Sequence, residues 1–156
     1  MTDAIDPEIR ARIADRIVRG PFGRHVGFEL VELDEDRCTV KLAYHDAVAN
    51  GIGVVHGGAI SALVDTSAVG AAWASSRNDA ASRGGTVGLT VNYLRPGQDK
   101  DLFGRARVVR RGRAIVVVDV DVVDAADRHV AKGLVTYNLR QPRPDEGEAV
   151  TVLGRE

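Results

Sequence analysis

Cysteine is nearly absent from this chain: Cys38 stands alone among 156 residues, which excludes an intrachain disulfide and a cysteine metal cluster. An excess of charge is absent too. With 21 Lys+Arg against 22 Asp+Glu the net charge is −1, so nothing global draws the chain to nucleic acid or to an anionic membrane, and no DNA-binding extension stands at either end. Residues 1–20, MTDAIDPEIRARIADRIVRG, are charged throughout and lack the apolar core of a secretory leader. Cytoplasm is the expected location. His25, His45 and His129 are scattered without ligand spacing, so no metal site is expected. No GxSxG elbow accompanies Ser61 or Ser67, which argues against a Ser-His-Asp hydrolase and leaves both as small packing residues. There is no internal repeat and no spare length for a second domain; 44% hydrophobic and 28% charged residues are ordinary for one globular unit.

Three parts are expected along that unit. Residues 1–21 form an N-terminal packing helix: Asp6-Pro7-Glu8 has the form of a cap with Pro in the first turn, and Ile9, Ile13 and Ile17 share one face until Gly20 stops it. Residues 22–140 carry the functional domain. In it Val26, Phe28 and Leu30 alternate, as do Cys38, Val40, Leu42 and Tyr44, with Asp34-Glu35-Asp36 between, which predicts two strands and a charged turn. A polar loop from Ser76 to Gly85 precedes the alternation of Val87, Leu89, Val91 and Tyr93. Three more β-rich runs follow, Leu102 to Val109, Ala114 to Val123 and His129 to Leu139, with turns at Arg111-Gly112 and Ala125-Ala126-Asp127. The pattern is α+β: a long central helix wrapped by an antiparallel sheet. Residues 141–156, with little apolar content, are expected to be a mobile tail.

The central helix carries the chemistry. In Asn50 to Asp65, NGIGVVHGGAISALVD, the glycines make a loop and His56-Gly57-Gly58 leads into a helix that should run to Ala74, with no proline before Pro96. Apolar on nearly every face, that helix reads as enclosed, and its length without charge raises the question of a membrane span. Its glycines, Asn50 and His56 fit a lipid-facing span poorly. An acid in such surroundings, Asp65, is costly unless paired, hydrated or used, and desolvation would move it toward a general base's working range. The unpaired amides at Gly57 and Gly58 suit a carbonyl oxygen gaining negative charge. Asp65 lies roughly 10 Å along the axis from Gly58, at ~1.5 Å per residue, so one helix cannot both hold and attack a carbonyl. Two antiparallel copies can, which implies an obligate dimer with composite sites.

HGG followed by that acid, then TVGLTVNYLRPG at Thr86 to Gly97, RRGRAIVVVDVDV at Arg110 to Val122 and HVAKGLVTYNL at His129 to Leu139, resembles the PaaI-like hotdog-fold acyl-CoA thioesterases over about residues 22 to 140. The resemblance implies the hotdog fold and hydrolysis of aromatic or medium- to long-chain acyl-CoA at a dimer interface, with a dimer of dimers as the larger assembly. It needs no cofactor, coenzyme A entering as part of the substrate. It makes Gly57 the backbone donor to the thioester carbonyl, Asn50 its side-chain helper, Asp65 the partner protomer's base or nucleophile, and Thr86 a hydroxyl that orients water. Each residue keeps a plainer reading: His56 as a loop and helix-start anchor rather than a base, Asn50 as a turn former, Thr86 as an ordinary strand threonine, Asp65 as a cap or ion-pair partner. Gly58, Arg95, Arg111 and Arg113 are candidates for substrate and CoA contact, the arginines because guanidinium matches phosphate, although arginines at a hairpin turn are usually solvated. The acyl group is expected near Ile60, Val64, Val69 and Trp73. Two rivals remain: a hotdog hydratase or dehydratase, which pairs a catalytic His with a longer-spaced acid and a PG-containing loop that this HGG segment lacks, and a non-enzymatic acyl-CoA binder.

Overall fold

The computed structural model describes residues 5–140; the expected tail at 141–156 lies outside them. Asp6 caps helix α1 (Pro7–Arg12), its Oδ1 accepting the Glu8 N–H at 2.7 Å. The helix then continues with π-type hydrogen bonding over Ile13–Val18. Ile9, Ile13 and Val18 are fully buried, so this segment belongs to the core. Gly20 ends it as expected, but Pro21 opens a second short helix, α2 (Pro21–Val26), that the strand alternation did not predict. Proline is pre-set for a first helical turn. Gly27 at φ 86 then closes α2, so the strand begins at Phe28, not Val26.

Six strands follow: β1 (Phe28–Asp34), β2 (Arg37–Leu42), β3 (Arg83–Tyr93), β4 (Leu102–Arg111), β5 (Ile115–Asp124) and β6 (His129–Arg140). They make one antiparallel sheet in the order β1-β2-β4-β5-β6-β3. The β1–β2 turn has Asp36 at φ 60, a conformation that a short polar side chain tolerates. Between β2 and β3 the chain forms the central helix α3 (Gly57–Trp73).

One flank of α3 lies on the sheet. Leu63, Val64, Ala68, Ala71 and Ala72 are fully buried, as are Val40, Leu42, Leu102, Val118, Val120 and Val135 from the strands. Two glycines set how close helix and sheet come: a Cβ at Gly104 would collide with Ser67 Oγ, and one at Gly133 with the Val64 side chain. The C-terminal carbonyls of α3 are covered by side chains. Asn78 Nδ2 donates to Ala72 O and Trp73 O at 3.2 and 2.9 Å, and an Arg111 guanidinium nitrogen donates to Ala72 O at 3.0 Å. Burial pushes the Cys38 thiol up to about 12, which makes it a packing residue rather than a nucleophile.

The expectation of an enclosed helix holds for half of α3. Ser61, Ala62, Asp65, Thr66 and Val69 are only half-buried within the chain. Beside them runs the edge strand β3, paired with β6 alone and exposed along nearly its whole length. No helix among the described residues is long and apolar enough to cross a membrane.

Candidate active site

The start of α3 is organised by His56. Its Nδ1 accepts the Gly58 N–H at 2.8 Å, the side-chain capping that satisfies one of a helix's first amides. This is the anchoring role. The Gly57 N–H is left with no acceptor among the described residues, so of the two glycines Gly57 is the one with a free donor at the positive end of the helix dipole.

Asp65 projects from the open flank, half-buried, and Thr86 Oγ1 donates to its Oδ1 at 2.8 Å. The strand irregularity between Thr86 and Gly88 explains how the threonine reaches it. Thr86 pairs with Tyr137 and Gly88 with Thr136, which makes Val87 the extra residue of a bulge, and a bulge re-aims neighbouring side chains. Tyr137 faces the helix and takes a hydrogen bond from Trp73 Nε1 at 3.0 Å. Burial, with the Asp65 charge adding to it, pushes the Tyr137 phenol up. Asp65 Oδ2 has no donor and the carboxylate no cationic partner among the described residues. An oxygen fixed by one hydroxyl beside an uncommitted oxygen is an arrangement that can take a proton from water or attack an electrophile.

Within one chain Gly57 and Asp65 stand eight residues apart on the same helix, about 12 Å along the axis at ~1.5 Å per residue. The structure brings Thr86 to Asp65 and His56 to Gly58, but it does not bring the amide to the acid. Asn50 is committed to its own loop: Oδ1 accepts the Ile52 and Val54 N–H groups, both at 3.1 Å. That is the turn-forming reading, with only the Nδ2 donor left over.

The arginines separate. Arg111 is not presented to solvent: its side chain is 11% exposed, with Nε and a terminal nitrogen donating to Asp36 Oδ1 at 3.0 and 2.6 Å besides the bond to Ala72 O. Its guanidinium is occupied in holding the β1–β2 turn to the end of α3, which is a structural task for an arginine expected at the CoA. Arg113 is exposed at the β4–β5 turn. Arg95, also exposed, lines a polar cavity of about 460 Å³ with Gln98, Lys100, Asp124 and Arg128.

Of the residues expected near the acyl group, Ile60, Val64 and Trp73 are core residues at 3%, 0% and 6% exposure, while Val69 is half-buried on the open flank of α3. A more apolar cavity of about 330 Å³ instead opens beside the start of α3, walled by Phe22, Val26, Val48 and Ala59 with His25, His45 and His56. Sequence reasoning missed it because its far wall is α2. No group of three or more His, Cys, Asp or Glu side chains among the described residues is placed to hold a metal ion.

Comparison with known proteins gives the family and the fold. The family described as the thioesterase superfamily matches residues 52–131, half of the chain. The medium/long-chain acyl-CoA thioesterase YigI of Escherichia coli is 27% identical over 132 residues, 75% of this chain and 84% of that protein. A thioesterase protein from Streptococcus pneumoniae solved with coenzyme A superposes with a TM-score of 0.66 at 25% identity, over 74% of this chain and 88% of that one. The PaaI protein of the E. coli phenylacetic acid degradation operon, at 21% identity, shares the fold with a TM-score of 0.69 over 84% of this chain and 92% of that one. Six antiparallel strands around one long helix, with the family match spanning that helix, three whole strands and the start of β6, place this chain in the thioesterase superfamily, and its fold is the hotdog fold.

Proposed function

We propose that this protein hydrolyses acyl-CoA thioesters to the free acid and coenzyme A, at sites composed across a homodimer. The observation that carries the reading is the Thr86–Asp65 hydrogen bond on the uncovered flank of α3, which leaves Oδ2 free. The Gly57 N–H of one protomer receives the thioester carbonyl oxygen, and the helix dipole adds to the stabilisation of the charge that develops there. Asp65 of the other protomer, oriented by Thr86, assists the attack. One water is consumed: its oxygen becomes the second oxygen of the acid, the carbon–sulfur bond breaks, and the thiolate leaves to become the thiol of CoA.

Pairing of two chains follows from β3. An edge strand with Val87, Leu89 and Tyr93 exposed at 64%, 42% and 54% is a template for another strand. Running β3 beside its counterpart in a second copy would cover that edge and the open flank of α3 together. The acyl group lies in the Phe22–Val48–Ala59 cavity, which adjoins Gly58 and, at about 330 Å³, is at the small end of the range for ligand pockets. An aromatic acyl group or a medium-length chain fits that space. Arg95, with Lys100 and Arg128 on the same cavity, is the candidate for the phosphates of CoA.

The test is free-thiol release from aromatic and straight-chain acyl-CoAs by wild type and Asp65→Ala, with light scattering on both proteins. Release that falls by about 10²-fold or more in a variant that is still a folded dimer supports the assignment. Wild-type turnover in folded Asp65→Ala refutes it. Ligand binding without thiol release from any substrate points instead to a binder or a hydratase.

A further inference from the structure

Tyr93 stands near the end of β3, its ring half exposed, and its side chain lies against the first turn of α3. Its hydroxyl makes two hydrogen bonds, one of 3.0 Å to Gly57 O and one of 2.6 Å to Ser61 Oγ. A phenol has a single proton and a carbonyl only accepts, so the directions are settled: Ser61 donates to Tyr93, and Tyr93 donates to Gly57 O. The chain of bonds continues across one peptide unit. The N–H on the far side of the Gly57 carbonyl is that of Gly58, which donates to His56 Nδ1 at 2.8 Å. Nδ1 therefore keeps its lone pair, and the neutral imidazole carries its proton on Nε2, the tautomer assigned from its hydrogen bond.

Two adjacent glycines at a helix start have no side chain with which to hold themselves, and glycine has the widest backbone freedom of any residue. First turns also fray. A donor to a developing oxyanion must nevertheless stay close to its productive geometry. Tyr93 supplies the missing restraint from outside the helix: its hydroxyl grips the Gly57 carbonyl, and its ring lies 3.4 Å from where a Gly57 Cβ would stand.

Resting on the reading of Gly57 as the carbonyl donor, we propose that Tyr93, with Ser61 behind it, is a positioning residue for hydrolysis. It locks the Gly57–Gly58 peptide, and through it the Gly57 amide and the His56 tautomer, in the orientation that the thioester meets. Tyr93 touches no reacting atom in this scheme; it acts through the backbone.

The experiment compares wild type, Tyr93→Phe, Ser61→Ala and the double variant in kcat and KM for the best acyl-CoA found. It also compares them in the ¹⁵N shifts of the His56 ring. Tyr93→Phe keeps the ring and its packing, so fold, dimer and KM should stay unchanged while kcat falls by about fivefold, the kinetic equivalent of one neutral hydrogen bond. Ser61→Ala should give a smaller fall. The double variant should be no worse than Tyr93→Phe, because Ser61 acts through the phenol. The His56 ring should show a single Nε2–H form in wild type and a mixture in Tyr93→Phe. Unchanged kcat in Tyr93→Phe, alongside inactive Asp65→Ala, overturns the brace while leaving the hydrolase intact. A fall tracking lost folding or raised KM also overturns it. Should wild type release no thiol from any acyl-CoA, the functional reading fails by itself, and an unchanged ring spectrum in Tyr93→Phe then removes the brace as well.

Discussion

Arg111→Met separates a structural arginine from a substrate-contacting one. The substitution keeps most of the apolar stem and deletes the guanidinium, so it isolates the charged head from its packing. Three hydrogen bonds go with it: two to Asp36 Oδ1 and one to Ala72 O. A charge-assisted pair with one partner well shielded contributes about 1.5–3 kcal/mol, while a cation at the C-terminus of a helix adds about 0.3–1 kcal/mol. Two features limit the loss. Asp36 is 39% exposed and can be rehydrated, and Ala72 O keeps its bond from Asn78. The expected destabilisation is therefore below the sum of those terms, about 1–3 kcal/mol. It is read by urea unfolding at one fixed protein concentration, since the stability of a dimer depends on concentration. A cycle with Asp36→Asn should show a coupling of about 1 kcal/mol or more, because the two side chains share the interaction. KM for acyl-CoA should not move. A stability loss below about 1 kcal/mol with a clearly raised KM would refute the reasoning, and would return Arg111 to the phosphate contact that the match of guanidinium to phosphate first suggested.

Two further predictions rest on separate parts of the fold. Gly133→Ala forces a methyl group into the Val64 side chain at the helix–sheet contact, and should cost about 1–3 kcal/mol in urea unfolding; a neutral result would mean that this contact does not set the spacing of helix and sheet. The Asp124 carboxyl is held down to about 2, first by the Arg128 guanidinium and then by the Arg128 and Ala126 N–H groups. With the folded value below the ordinary one, its contribution is present above about pH 4 and is lost as pH falls toward 2. Acid unfolding of Asp124→Asn should accordingly lack that part of the fall between pH 4 and 2, and identical acid profiles would show that the β5–β6 turn contributes nothing to acid stability.

The sheet was legible because its strands obey a period of two. Val116, Val118, Val120 and Val122 are all buried, and the charged or half-exposed residues between them face away, so alternation alone locates β5. Turns were legible where a left-handed residue was required, as at Asp36 and Asp127. The segment before β1 was misread for a physical reason. Val26, Phe28 and Leu30 have a strand's spacing, but Pro21 starts a helical turn and Gly27 ends it, and six helical residues are too few to show a period of their own. Register is equally invisible to periodicity. The bulge at Val87 that directs Thr86 to Asp65 depends on how β3 lies against β6, which the sequence of β3 does not contain.

The site is less legible than the fold because its parts are made by contacts between distant elements. Tyr93 reads in sequence as one more apolar position of β3, and Ser61 as a small residue of α3; only their meeting turns them into a chain of hydrogen bonds behind Gly57. Arg111 reads as one of several arginines about Gly112, and only the arrival of Asp36 and of the end of α3 gives it a different task from Arg113. The central helix holds the deepest ambiguity. Alanine, glycine and threonine are compatible with a sheet, with another helix and with a ligand, so an apolar helix shows that it will be covered without showing by what. Here the sheet covers one flank, and the other stays open beside an exposed edge strand. That open flank carries Asp65, too far along the same helix from Gly57 to share a carbonyl with it. On the proposed reading a second copy of the chain would meet both demands at once, covering the apolar surface that remains and bringing an acid to an amide that its own helix cannot reach.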